Sequence, residues 1–196
     1  MSEIRDEAPD ETRDLYVRAL KQFGEKVHAV GEDQWANATP CSEWDVRALV
    51  NHLVNENLWV PPLLEGRTIE KVGDRFDGDQ LGTDPGGAWE ASADGAIAAV
   101  ADPDAMRRTV HLSYGDRPAI GYVNEMFIDL AIHGWDLARG IGADETIDPE
   151  FVEVLYARAA PMEDDLKSYG VYGGKLTPPE TADAQTKLLA IFGRVA

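Results

Sequence analysis

The chain has 196 residues, enough for one domain with a sizeable core, and its 44% hydrophobic and 28% charged residues are ordinary for a globular protein. Lys and Arg number 18 against 36 Asp and Glu, and a net charge of −18 repels phosphate backbones and anionic membranes, so neither is expected as a partner. The single cysteine, Cys41, excludes an intramolecular disulfide and any CxxC metal or redox motif, and it reads as a small, half-buried side chain in a turn. No apolar run approaches the ~20 residues that cross a bilayer. The opening "MSEIRDEAPDETRD" is the reverse of a signal peptide's basic and then apolar pattern, so the expected location is cytoplasmic.

After a frayed start over residues 1–10, Leu15, Ala19, Phe23, Val27 and Val30 recur every three or four positions. That spacing predicts a first helix over about Glu11 to Val30, closed by Gly31. "TPCSEWDVRALVNHLVNENLWV" opens a second, with Ser42 as expected N-cap, Asp45 three residues on, and Pro61-Pro62 as the stop. Residues 66–84, rich in carboxylates and glycine, read as a long surface connection. The Ala-rich stretch from Ala88 to Ala101 is a third helix. "MRRTVHLSYGDRP" has β-branched and aromatic character around a turn, which predicts a short strand or extended segment. Pro118 suits the first position of a fourth helix running to about Arg139, with Gly140 and Gly142 ending it. A fifth helix is expected from Pro149 to Leu166, capped by Asp148 and kinked at Pro161. "YGVYGGKLTPPE" reads as a loop, and "TADAQTKLLAIFGR" as a short terminal helix.

Four main helices, a long crossover and short C-terminal helices point to an all-α bundle forming one domain over residues 1–196. Its chemistry concentrates in two helices. In the second, His52 lies at the edge of the apolar stripe, with Glu56 one turn later. In the fourth, Asp129 and His133 stand four residues apart, so they share a face. Imidazole and carboxylate are suitable ligands for a divalent metal, and helices that face each other can bring inward side chains together. Spacing alone leaves two readings open: ligands of one ion, or core histidines satisfied by hydrogen bonds, with Asp129 fixing an imidazole tautomer. His28 falls near the end of the first helix, where a charged imidazole suits the dipole. His111 belongs to the extended segment and is left without a role. Trp135, two residues past His133, should face away and pack on another helix. Asp136 is open between orienting a ligand, binding the amine of a thiol cofactor, and an ordinary surface or capping role.

"TPCSEWDVRALVNHLV", followed far downstream by "AIHGWDLARGIG", resembles the N-terminal domain of mycothiol-dependent maleylpyruvate isomerases. These are members of the DinB-like superfamily of metal-binding four-helix bundles, frequent in actinobacteria. The resemblance extends over roughly residues 10 to 195, and "AQTKLLAIFGR" is similar to the ending of small single-domain members. It implies a DinB-like four-helix bundle holding a divalent ion, zinc or nickel, through His52, Asp129 and His133. The isomerase shows Glu where this chain has Asp129, a ligand of shorter reach. It also carries a further C-terminal domain, whereas the stretch after Gly140 here reads as helices. The implied activity is that of a thiol S-transferase or isomerase, in which the metal activates mycothiol or another low-molecular-weight thiol toward a small electrophile. The alternative is a non-catalytic bundle that binds a metal or small ligand in a stress or sensory role. Monomer and homodimer are both compatible with the sequence.

Overall fold

A computed structural model of the chain describes residues 9–159 and 176–196. The chain divides into two compact units, Met1–Ala143 and Asp144–Ala196.

The first unit is built on four long helices: α1 (Pro9–His28), α2 (Val46–Leu64), α4 (Pro85–Val100) and α5 (Ala119–Ile141). A single helical turn, α3 (Ile69–Val72), interrupts the connection between α2 and α4. A hairpin of β1 (Thr109–Leu112) and β2 (Gly115–Pro118) precedes α5, with Val110 opposite Arg117. The extended segment expected here is thus a two-stranded ribbon with its turn at Ser113 and Tyr114. Only Val110 of the ribbon is fully buried.

Side-chain contacts fix the helix directions. Going along α1, Gly24 lies against Trp89 of α4, while His28, a turn later, meets Glu90 and lies beside Gly86, so these two helices are antiparallel. Asn57 and Pro61 of α2 meet Ser92 and Gly95 of α4 in the same order, so those two are parallel. His52 meets Asp129, whereas Val46, earlier in α2, lies against Gly140, later in α5. Those helices are antiparallel. The result is an up-down-down-up bundle.

A parallel neighbour cannot be reached by a tight turn, because the chain must first travel back along a ~28 Å helix. Residues 66–84 make that return, as the long connection expected from composition. They are tied to the flank of α2 by Arg47 with Asp79, by the Asn51 side-chain amide, which donates to Gly78 and accepts from the Gln80 N–H, and by Asn55 with Phe76.

The core follows the helical stripes: Leu15, Ala19, Phe23 and Val27 from α1, Leu49, Leu53 and Val60 from α2, Trp89 and Ala96 from α4, and Phe127, Leu130 and Leu137 from α5 are buried. Phe23 packs on Trp89 with ring centroids 4.6 Å apart. The absence of a side chain at Gly24 makes this possible, since a Cβ there would fall 2.6 Å from the indole Nε1.

Helix boundaries differ from expectation in several places. Asp45, not Ser42, caps α2, accepting the Ala48 N–H at 2.8 Å. Ser42 lies in the preceding turn, which the Trp44 N–H closes on the Cys41 carbonyl. Pro61 and Pro62 do not stop α2, which runs to Leu64. Both fall in its last turn, where each forfeits its own N–H bond to the carbonyl four residues back but leaves the following residues free to stay helical, and the Glu65 N–H closes the end on Pro61 and Leu63. Helix α4 starts at Pro85, behind an Asp84 cap, three residues before the expected Ala88. Pro118 is the residue before α5 rather than its first. The helix continues through Gly140 to Ile141 and closes on Gly142, whose φ of 70° is the left-handed geometry that glycine adopts freely.

In the second unit, α6 (Pro149–Ala159) and α7 (Ala184–Ile191) bury Phe151, Leu155, Leu188 and Leu189. The Gln185 side chain stitches the unit together, accepting the Ile147 N–H at 2.8 Å and donating to the Glu145 carbonyl. Asp148 accepts the Glu150 N–H, as expected of the α6 cap. The expected continuation to Leu166, the Pro161 kink and most of the "YGVYGGKLTPPE" loop lie outside the described residues, as do residues 1–8 of the frayed start. Among the described residues no helix is long and apolar enough to cross a membrane.

Candidate metal centre

His52, Asp129 and His133 come together within the first unit. A single side-chain ligand atom from each lies within 4.8 Å of the others. Asp129 is the hub: its Oδ2 is 2.9 Å from His52 Nε2, and its Oδ1 is 3.3 Å from His133 Nε2. The two imidazoles stand edge to face, with ring centroids 5.4 Å apart. Helix periodicity places Asp129 and His133 one above the other on α5, and the antiparallel α2 presents His52 across from them. About a quarter of the His52 and Asp129 side chains is exposed, and a tenth of His133, so the cluster is enclosed but reachable.

The segment between α1 and α2 closes one side of the cluster. Side-chain amides of Gln34 and Asn37 donate to the carbonyls of Ile141 and Gly140 at the end of α5, where the helix leaves acceptors unpaired. Thr39 Oγ1 donates to the Trp44 carbonyl at 2.7 Å and lies 3.2 Å from that of Cys41. So anchored, Trp44 lays its ring over both imidazoles, 4.5 Å from His52 and 5.5 Å from His133. The same segment brings Cys41 Sγ to 3.3 Å from Asp136 Oδ2 and 3.7 Å from His133 Nδ1. Cys41 is half-buried in a turn, as expected, but it also joins His133 and Asp136 in a second compact group of metal-ligating residue types.

Asp136 is not a surface acid. Its side chain is completely buried, with Oδ2 2.9 Å from His133 Nδ1. Glu56 follows His52 by one turn, 4.0 Å from its Nδ1. Trp135 is buried beneath the Arg139 guanidinium, 4.1 Å from its ring centroid. The remaining histidines lie elsewhere: His28 pairs with Glu90, and His111 pairs across the hairpin with Asp116 at 2.8 Å. Trp44 and Cys41 were not singled out for this site from the sequence. They sit in a non-periodic segment, and only the linkage of Gln34 and Asn37 to the end of α5 brings them in.

Electrostatics at the cluster favour charge. Burial would raise the Asp129 carboxyl, but hydrogen bonds from His133 and His52 outweigh it and hold the group well below the usual carboxylate range. Burial would likewise lower His133, yet its bonds to Asp129, Asp136 and Cys41 win and push it well above an ordinary histidine. Burial pushes the Glu56 carboxyl up, opposed by His52 and reinforced by the charge of Asp129. The buried hydroxyls of Tyr16 and Tyr122 have no hydrogen-bond partner among the described residues, and both groups are raised by burial and by the charge of Glu56.

These directions give a pH prediction for the metal-free protein. The raised His133 contributes stability that is fully present below its unfolded value of about 6.5 and is lost as pH climbs through the higher folded value. Asp129, being depressed, contributes above about 3.9 and loses its share as pH falls through the lower folded value. Urea unfolding of metal-free protein should therefore show stability declining above pH ~6.5. His133→Gln should flatten that slope, and an unchanged slope would remove His133 as its origin.

The long helices run up-down-down-up, with the imidazole–carboxylate–imidazole cluster between the second and the last, in the DinB-like four-helix fold expected from the sequence. Residues 16–138 match the family described as the mycothiol maleylpyruvate isomerase N-terminal domain, and the chain belongs to that family. Uncharacterized proteins from two strains of Mycobacterium tuberculosis are each 29% identical over 185 residues, covering 91% of this chain and 95% of theirs. A crystal structure of the mycothiol-dependent maleylpyruvate isomerase has a similar fold, with a TM-score of 0.65 at 17% identity, covering 87% of this chain and 75% of that one. A histidine-to-alanine mutant of the isomerase matches with the same TM-score and coverage at 16% identity.

Proposed function

We propose that this chain is a divalent-metal-dependent enzyme that activates mycothiol, or a low-molecular-weight thiol of that type, for S-transfer to a small electrophile or for its isomerisation. The observation that carries the reading is the convergence of His52, Asp129 and His133 on one point between α2 and α5. Ligand atoms ~2.0–2.1 Å from a tetrahedral zinc stand about 3.3 Å from one another. Asp129 already lies 2.9 and 3.3 Å from the two imidazole nitrogens. Without metal, those nitrogens donate N–H bonds to the carboxylate, so an ion fits by taking the place of two protons. Zinc and nickel both suit this donor set.

His52 Nε2, His133 Nε2 and a carboxylate oxygen of Asp129 would hold the ion, with further coordination positions left for an exogenous ligand. The chemistry such an ion supplies is that of a Lewis acid able to keep a coordinated thiol deprotonated. Trp44 shields the imidazoles on one side and limits water there. Burial raises the Glu56 carboxyl, one turn from His52, against the lowering influence of that imidazole. Family membership supports a thiol as co-substrate, and the likeness to the isomerase supports a small molecule as the other reactant. A cytoplasmic location suits both.

The test has two parts. Untagged protein is incubated with zinc or nickel, dialysed and assayed for bound metal, and close to one equivalent is expected. Metal-loaded protein is then given mycothiol and a bimane electrophile. Conjugation faster than the thiol-only background is expected, and a rate equal to that background overturns the transferase reading.

A further inference from the structure

We infer that Asp136 is a positioning residue, whose buried carboxylate holds His133 with a proton on Nδ1 and turns the ring so that Nε2 faces Asp129 and His52. The inference rests in part on the metal reading above, and its test separates the two. Asp136 is 0% exposed, and an ionised carboxylate is costly to bury unless hydrogen bonds compensate. Part of the compensation comes from the site itself. Oδ2 accepts from His133 Nδ1 at 2.9 Å and from the Cys41 thiol at 3.3 Å.

The i,i+3 spacing on α5 sets Asp136 beside the ring, and its bond lies on the ring edge opposite the one facing Asp129. An imidazole that donates through Nδ1 keeps Nε2 for the centre, and the ring cannot turn over without breaking that bond. An apolar side chain of similar size would fill the same space without the cost of burying a charge, but it offers no acceptor and would leave the ring free to flip. Carboxylates in this relation to a ligating histidine typically contribute 10–100-fold in metal affinity.

The experiment compares wild type with Asp136→Asn, Asp136→Ala and Asp116→Asn. The last weakens a different carboxylate–imidazole bond, the exposed one that pairs His111 with Asp116 across the hairpin. Zinc affinity is measured by chelator competition. The Nδ1–H proton of His133 is followed by NMR on protein carrying 15N-labelled histidine, metal-free and zinc-loaded. Wild type should show a downfield, slowly exchanging Nδ1–H in both states. Asp136→Ala should lose that signal and bind zinc about 10–100-fold more weakly. Asp136→Asn, which keeps a neutral acceptor, should fall between, and Asp116→Asn should match wild type.

Unchanged zinc affinity and an unchanged signal in folded Asp136→Asn overturn the inference, whatever becomes of the alanine variant. If wild type binds no zinc, the metal reading fails while the metal-free signal still decides the role of Asp136. Its presence in wild type and loss in the variants upholds the assignment, and its absence from wild type sinks it.

Discussion

His52→Ala and His133→Ala each lower zinc affinity by more than about 100-fold, a larger loss than removing a partner that merely orients a ligand. In the proposed centre each substitution would delete one of the three protein ligands, leaving two to hold an ion with an incomplete set. The measurement is chelator competition at fixed pH, with His111→Ala as the reference. His111 has the same chemistry but lies on the hairpin, paired with Asp116. If the His52 and His133 variants bind as tightly as the His111 variant, the centre is elsewhere or does not exist. Asp129→Asn should also weaken binding, because an amide oxygen is a poorer ligand and one imidazole then faces an N–H donor.

The second large effect is on stability. Phe23→Ala costs about 3–5 kcal/mol, the range for emptying a fully buried aromatic position. Its ring packs on Trp89 of α4 and lies 3.7 Å from where a Gly134 side chain would begin on α5, so its loss loosens three helices together. Domains of this kind are stable by only ~5–15 kcal/mol, so the variant gives up a large fraction. Urea midpoints should fall by about 1 M or more, given a slope of ~1–3 kcal/mol per M. A loss below ~1 kcal/mol would mean that the site collapses on itself without strain, contrary to close packing.

Much of the architecture can be read from the sequence because helical periodicity is a long-range signal. The stripes of α1, α2 and α5 repeat over several turns, and a long polar connection implies a return across the bundle. Boundaries are less legible. Ser42 is the expected cap on composition, and the turn before α2 gives the role to Asp45 instead. Pro61 and Pro62 look like a stop, yet a proline gives up only its own N–H bond and leaves the next residues able to complete the turn. The donors His52, Asp129 and His133 stand out by residue type and spacing, and their convergence depends on the antiparallel pairing of α2 with α5, which the family resemblance implies and no local pattern encodes. Asp136 is one turn from His133 and therefore visible. Its burial is not, because that follows from the segment carrying Cys41 and Trp44, which has no periodicity to interpret.

The parallel pairing of α2 with α4 has a kinetic corollary. Neighbours that zip from a short turn form early, whereas a pair joined through residues 66–84 must first pay the entropy of closing a long loop. His52 and Asp129 are 77 positions apart along the polypeptide, so no local hairpin contains both. Chelation should thus be among the last properties to emerge on refolding, making metal capture a gauge of the fully assembled state rather than of early collapse.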